Sequence, residues 1–338
     1  MKKTTSIPLI LTALLLNGIV AKTEMPPSLT DSNKTTKDTN ITIKVDNNSS
    51  FDYKLEPKKV SENVWCFLGA LEGPSKKNAG NMVNTCYIKT QNGFIVVDSG
   101  PSYQYAKQAY SAMSKIASVP VKAVISTHDH DDHWLGNSYY KQNFKAPIIG
   151  PKAINENYKD GDITRMFRIL PKNAIKDTKI IPVDITPLKP IDLSIDGEEI
   201  EITPVGRKAH TIEDLFIYLP KRKVIFSGDL AMNGRITSNR DGSLLGQIEA
   251  IKMLRAKEWD VLVPGHGFDT TKTALDDAEK YFNLLYKRIT KAMDDEVDAE
   301  DITSVVKMEE FKDRAMFKAL NAQNVSDAYT EIEFAEEE

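Results

Sequence analysis

The chain has 338 residues, with 44 Lys and Arg against 48 Asp and Glu, a formal charge of −4. That length can bury a large core as one big domain or two modest ones. A hydrophobic content of 41% and a charged content of 27% are those of a soluble globular protein. The negative balance and the lack of any long Lys/Arg block exclude a nucleic-acid-binding surface.

Taken in order, the chain opens with Lys2 and Lys3 before an apolar stretch from Ile7 to Val20, then Ala21. A charged start, a short apolar core and a small residue form a secretory signal pattern, so residues 1–21 read as a signal peptide. The apolar run is short for a membrane span, and no stable membrane insertion is expected after cleavage. The mature protein is expected in the periplasm. Residues 22–50 are polar and lack apolar periodicity, which reads as a disordered linker with one short strand at Ile41–Val45. Within it recur Asp31-x-Asn33-x-Thr35, Asp38-x-Asn40-x-Thr42 and Asp46-x-Asn48-x-Ser50, which look like acceptor sequences for bacterial N-glycosylation.

The folded domain is expected over 51–269. Trp65–Leu68 and Asn84–Ile88 read as strands joined by a long loop, Gly69–Val83. Cys66 and Cys86 lie in these strands and read either as a disulfide or as two small buried hydrophobes. Phe94–Asp98 follows a turn at Gln91-Asn92-Gly93. Ala106, Ala109, Tyr110, Met113, Ile116 and Ala117 make one apolar helical face. Strand 121–126 completes a strand–helix–strand unit.

Directly after it comes Ser126-Thr127-His128-Asp129-His130-Asp131-Asp132-His133, with three of the chain's five histidines. A strand ending at Thr127 would deliver His128 and His130 to the same side, because strand side chains alternate. The next turn would bring Asp132 and His133 back to the same point. Asp129 and Asp131 would face solvent. Imidazole and carboxylate together suit Zn²⁺, and all five histidines read as metal ligands.

Residues 151–176 are polar and irregular, with Met166, Phe167, Ile169 and Leu170 clustered as a flap or short helix. Ile195-Asp196-Gly197-Glu198 is a hairpin turn, and Leu215–Leu219 with Val224–Phe226 forms another hairpin. A helix around Ile248, Ile251 and Leu254 leads into strand Val261–Val263. Leu275, Ala278, Phe282, Leu285, Ile289 and Met293 step by three or four as a long amphipathic helix. A further helix is expected over roughly 303–320. Residues 270–338 are therefore read as a C-terminal helical extension.

The H-x-H-x-D-H pattern after a strand resembles the metallo-β-lactamase superfamily. Later segments carry the rest of that resemblance: His210 in Gly206-Arg207-Lys208-Ala209-His210-Thr211, Asp229 in Phe226-Ser227-Gly228-Asp229-Leu230, and His266 in Val263-Pro264-Gly265-His266-Gly267. Phe94–Gly100 is similar to the family's early strand with its Asp-x-Gly turn. The resemblance implies an α/β fold, a four-layer αβ/βα sandwich of two mixed β-sheets with flanking helices. It also implies two zinc ions per chain. His128, His130 and His210 would hold the first, Asp132, His133 and His266 the second, and Asp229 would bridge them.

The activity implied is hydrolysis of an ester, thioester, lactone or amide bond of a small molecule by a hydroxide shared between the ions. Asp132 would orient that hydroxide and move a proton. Asp98 and Thr211 are candidates for orienting the ligands, and Arg235 or Arg240 for a substrate carboxylate. Trp65-Cys66-Phe67, Gly69-Ala70-Leu71-Glu72 and the stretch Asn324 to Glu333 resemble a periplasmic branch associated with sulfur-oxidation and quinoprotein-relay systems. The alternatives are a β-lactamase, a mononuclear-iron sulfur dioxygenase and a non-catalytic metal-binding protein. Asp229 stands where the main lactamase group has Cys. Oligomeric state is not readable from the residues.

Overall fold

Strands buried on both faces set the architecture. The computed structural model describes residues 49–157 and 164–335, within one compact unit, Asp46–Glu338. The signal peptide, the Ile41–Val45 strand and the asparagine of each acceptor motif lie outside the described residues.

The first sheet contains β1 (Lys58–Ser61), β2 (Val64–Phe67), β3 (Thr85–Lys89), β4 (Phe94–Val97), β5 (Val121–Ile125) and β6 (Ile148–Ile149), in spatial order of sequence. The first four are antiparallel, and β5 and β6 add in parallel. The parallel step from β4 to β5 is made through α1 (Tyr103–Ser114), whose start is capped by Ser102 Oγ accepting from Tyr105 N. Short helices follow: α2 (Asp131–Trp134), α3 (Asn137–Phe144), α4 (Ala153–Asn157), α5 (Arg165–Ile169) and α6 (Lys172–Ile175).

The second sheet holds β7 (Ile191–Ile195), β8 (Glu198–Pro204), β9 (Leu215–Leu219), β10 (Val224–Met232) and β11 (Val261–His266), in the order β11-β10-β9-β8-β7. Here β11 is parallel to β10 and the other pairs are antiparallel. Outside lie α7 (Leu244–Arg255), α8 (Lys272–Asp294), α9 (Ile302–Val305) and α10 (Phe317–Ala335).

The period-two alternation of the strands divides the core into three layers. Ile95, Val97 and Ile125 face Ile202, Ile217 and Phe226 between the sheets. Phe94 and Val96 point the other way, onto α1 and α3 residues such as Tyr105 and Tyr140. On the second sheet Phe216 and Ile225 turn outward onto Leu254, Phe282 and Val325. The result is the expected four-layer sandwich of two mixed sheets between helices.

Cys66 and Cys86 face each other across β2 and β3 and form a disulfide, buried between the sheets.

Two local expectations are corrected. The strand before the histidine cluster stops at Ile125, so strand alternation does not place His128 and His130. A tight turn into α2 does, with His130 at its N-terminal boundary. Nor is 303–320 one helix. Ile302–Val305 is a short α-helix, Glu309–Phe311 a single 3-10 turn, and the long helix begins at Phe317. The backbone around Ala315 is used instead to pair with the loop after β10, where Ile236 N donates to Ala315 O and Ala315 N to Gly234 O. Tertiary pairing outweighs local helix propensity there. The last helices share one apolar cluster with α7 and β10.

Candidate metal centre

The side chains of the cluster arrive from four places in the fold. His128, His130, Asp132 and His133 come from the turn after β5 and from α2. His210 comes from the loop between β8 and β9, Asp229 from within β10, and His266 from the last position of β11. These seven residues converge. Donor atoms of His128, His130, His210 and Asp229 lie within 4.8 Å of one another, and so do those of Asp132, His133 and His266.

Asp229 is the hub. Its Oδ2 is 3.2 Å from His210 Nε2, 3.2 Å from His266 Nε2 and 3.7 Å from His128 Nε2. Its Oδ1 is 3.3 Å from His133 Nε2. Gly265 makes room for this carboxylate, because a Cβ at that position would collide with Asp229 Oδ1. Burial pushes the Asp229 carboxyl up, but His266, His133, His210 and His128 outweigh it and hold the group well below the usual carboxylate range. The hub is therefore an anion.

The rings are locked by their outer nitrogens. His133 Nδ1 lies 2.8 Å from Asp98 Oδ2. Thr127 Oγ1 donates to Asp98 Oδ2 at 2.9 Å and lies 3.0 Å from His128 Nδ1. His266 Nδ1 donates to Met82 O at 2.6 Å. His130 Nε2 is 3.2 Å from Asp241 Oδ2, which turns His130 Nδ1 toward His210 Nε2 at 3.0 Å. This network assigns Nε2 of His128, His133 and His266 as the inward nitrogens. Burial and the neighbouring imidazole of His133 lower the His128 pKa, which keeps that ring in its neutral, ligating form. His133 goes the other way: burial lowers it, but Asp229, Asp98 and Asp132 raise it well above the ordinary value. A metal ion would displace that proton.

The donor set fits metal ions. His128 Nε2, His133 Nε2 and Asp229 Oδ1 are buried, face the cluster and have no hydrogen-bond partner among the described residues. Buried polar atoms are nearly always satisfied, and three such orphans meeting at one point suit cations bound by imidazole and carboxylate.

Around this centre several expectations change. Asp129 and Asp131 are buried rather than solvated. Asp131 accepts from Arg165 Nη2 at 2.9 Å and from Met166 N at 2.7 Å, which fastens α5 onto α2. Arg165 Nη2 also donates to Asp132 Oδ1 at 2.6 Å. Asp132 Oδ2, 3.5 Å from His266 Nε2, is the oxygen left facing the cluster. The other oxygen, Oδ1, is committed to Arg165. Thr211 orients no donor by a hydrogen bond among the described residues: its N and Oγ1 donate to Asp214 and so shape the loop that carries His210. Asp98 does orient a ligand. Arg165 and Asp241 carried no readable signal, because each meets its partner across a long sequence separation without a motif. Three loops meet over the centre: Gly73 and Pro74, Arg165, and Arg235, Ser238 and Arg240 line one cavity with the metal-facing side chains.

The sequence model of the metallo-beta-lactamase superfamily matches residues 79–266, more than half of the chain. The chain belongs to the metallo-β-lactamase superfamily. Within that superfamily it is 23% identical over 219 residues to the linear primary-alkylsulfatase of a Pseudomonas strain, a match covering 53% of this chain and 40% of the relative's length. It is 24% identical to metallo-beta-lactamase IND-1 of Chryseobacterium indologenes, over 64% of this chain and 82% of that protein. Among solved superfamily structures, a metallo-beta-lactamase from Pontibacter korlensis superposes with a TM-score of 0.54 at 22% identity, covering 68% of this chain and 99% of that one. The inverting sec-alkylsulfatase of Pseudomonas sp. reaches 0.62 at 18% identity, over 82% of this chain and half of that one. The structural likenesses place the fold alone.

Proposed function

We propose that this protein is an exported, periplasmic hydrolase holding two zinc ions per chain, and that it cleaves an ester, thioester, lactone, amide or sulfate-ester bond of a small molecule. The observation that carries this reading is the convergence of seven imidazole and carboxylate donors around Asp229, with three buried orphan atoms facing inward. His128, His130 and His210 would hold one ion, Asp132, His133 and His266 the other, and Asp229 would lie between them. Two bound divalent ions activate water and polarise the group under attack. The chain's own contribution is rigidity: Asp98, Thr127, the Met82 carbonyl and Asp241 fix the rings before any ligand arrives. Asp132 keeps Oδ2 toward the reacting centre while Arg165 holds Oδ1. Proton handling by Asp132 is thereby confined to Oδ2.

Export is supported by the N-terminal signal pattern and by the Cys66–Cys86 disulfide, which belongs in an oxidising compartment. Among the described residues no helix is long and apolar enough to cross a membrane. A single-iron dioxygenase would leave His133 and His266 without a role, although both are held in place by their Nδ1 atoms.

Elemental analysis of the purified protein, followed on the same sample by a panel of chromogenic esters, thioesters, lactones, β-lactams and sulfate esters, tests the proposal. About two zinc per chain with turnover of one class is expected. One iron per chain, or full zinc without any turnover, would overturn it.

A further inference from the structure

A second cavity, of about 450 Å³, adjoins the mouth of the metal centre at Lys208 and Arg240. It lies between the β8–β9 loop, the loop after β10 and α10, and none of the seven candidate donors lines it. Asn239 does line it and is only 3% exposed. Its backbone is fully used: N donates to Asn324 Oδ1 at 3.0 Å, and O accepts from Gly242 N at 2.9 Å. Asn324 Nδ2 also donates to Thr237 O at 2.7 Å, so α10 holds this loop in place. The side-chain amide of Asn239, by contrast, has no partner at Oδ1 or Nδ2 among the described residues. A buried amide without hydrogen bonds is costly, and native folds satisfy nearly all of them. What Asn239 offers the cavity is therefore a preset donor and acceptor pair.

The charged groups around it sort by elimination. Glu331 is committed, since its carboxylate accepts from Ser243 Oγ and from Leu244 N at the start of α7. Arg240 is committed to Asp241 Oδ2 at 2.6 Å. Asp327 on α10 is half committed. Its Oδ1 accepts from Gln323 Nε2 at 2.7 Å, while Oδ2 is buried and without a partner among the described residues. Arg207 and Lys208 are exposed and make no ion pair there. One cavity thus holds two available cations, an available amide and an available carboxylate oxygen.

We propose that this cavity binds a short zwitterionic peptide. The peptide carboxylate meets Arg207 and Lys208, the peptide amide pairs with Asn239, and the ammonium donates to Asp327 Oδ2. An amide complements an amide, because each offers an N–H and a carbonyl. The two ends are recognised by charge-assisted bonds, which are stronger than neutral ones. A simple anion would leave Asp327 Oδ2 unmet, and a simple cation would face two positive side chains. The bound peptide ties the loop that carries His210 to α10. The site stands apart from the hydrolytic reading of the metal centre.

Calorimetry on the full chain, freed of metal so that no peptide binds as a chelate, tests this. The probe is the dipeptide alanylalanine, with its N-acetylated and C-amidated forms as controls. The free dipeptide is expected to bind, and each blocked form to bind roughly 10- to 100-fold more weakly, the loss of one charge-assisted contact. The variants should reproduce each loss separately. Asp327→Asn should no longer distinguish the dipeptide from its acetylated form. Arg207→Ser combined with Lys208→Ser should no longer distinguish it from the amidated form. Asn239→Leu removes an amide that the fold itself leaves unpaired. It should therefore keep or raise the Tm of the peptide-free protein while losing the dipeptide. A lower Tm with binding intact would show that the amide is satisfied within the fold and would overturn the proposal. So would equal binding of all three peptide forms, or no binding of the free dipeptide.

Discussion

Asp98 Oδ2 accepts from His133 Nδ1 at 2.8 Å while its Oδ1 accepts from Thr127 N at 2.8 Å. One carboxylate thus fixes a ring from α2 and the backbone after β5, and through Thr127 Oγ1 it also reaches His128. Asp98→Asn keeps an acceptor for Thr127 but loses the charge that orients His133. Zinc affinity is expected to fall by ~10- to 100-fold, with the metal-free protein folding normally. Competition with a zinc-binding dye reads the affinity; an unchanged value would show that the ring is held by packing alone.

Asp132→Ala and His130→Ala each remove one donor of the centre, one from each half. Both should abolish turnover and leave far-ultraviolet circular dichroism unchanged, since each side chain sits at the end of an element and outside the apolar clusters. Zinc should fall to about one ion per chain. A variant that keeps the wild-type rate at full metal occupancy would refute the ligand assignment.

The Cys66–Cys86 bridge closes a separation of 20 residues, including the Gly69–Val83 loop at the mouth. Replacing both cysteines with Ala should cost about 3 kcal/mol of stability, the loop-closure value for a bridge of this span. Urea unfolding of the two proteins measures it. Equal midpoints would mean that the sheet alone holds the loop ends together.

Asp196 supplies a pH test away from the metal. Its carboxylate accepts from Thr90 Oγ1 and from Asn92 N, both at 2.6 Å, and so ties the β7–β8 turn to the β3–β4 turn of the other sheet. These bonds, Thr90 first, hold its pKa at about 2 rather than 3.8. A depressed carboxylate contributes stability that is complete above its unfolded-state value and is lost as pH falls toward the folded one. The gap in Tm between wild type and Asp196→Asn should be constant from pH 7 to 5 and should narrow below ~4. A gap unchanged down to pH 3 would contradict the assignment.

The convergence of the seven candidate donors was legible in the sequence because metal chemistry restricts residue type. Five histidines, each beside an apolar run, leave few other readings, and Asp229 followed from its place in the resemblance. The sandwich was legible through strand periodicity and chain order. What escaped reading depends on contacts between distant, aperiodic residues. Asp131 looked like a solvated neighbour of a ligand, but Arg165, from an irregular segment, buries it. The burial of Arg235 was not legible either, since nothing local announces that Ala315 and Asn324 fold over its loop. The helix expected over 303–320 failed for the same reason: Ala315 spends its backbone groups on Gly234 and Ile236.

That pairing also divides the chain by position. All seven donors lie at or before His266, whereas Asn324 comes 58 residues later. The side chains that converge on Asp229 therefore precede the segment that folds over the loop after β10. A chain shortened before Asn324 is expected to keep the donor cluster and to lose the hydrogen bonds that tie Thr237 and Asn239 to α10.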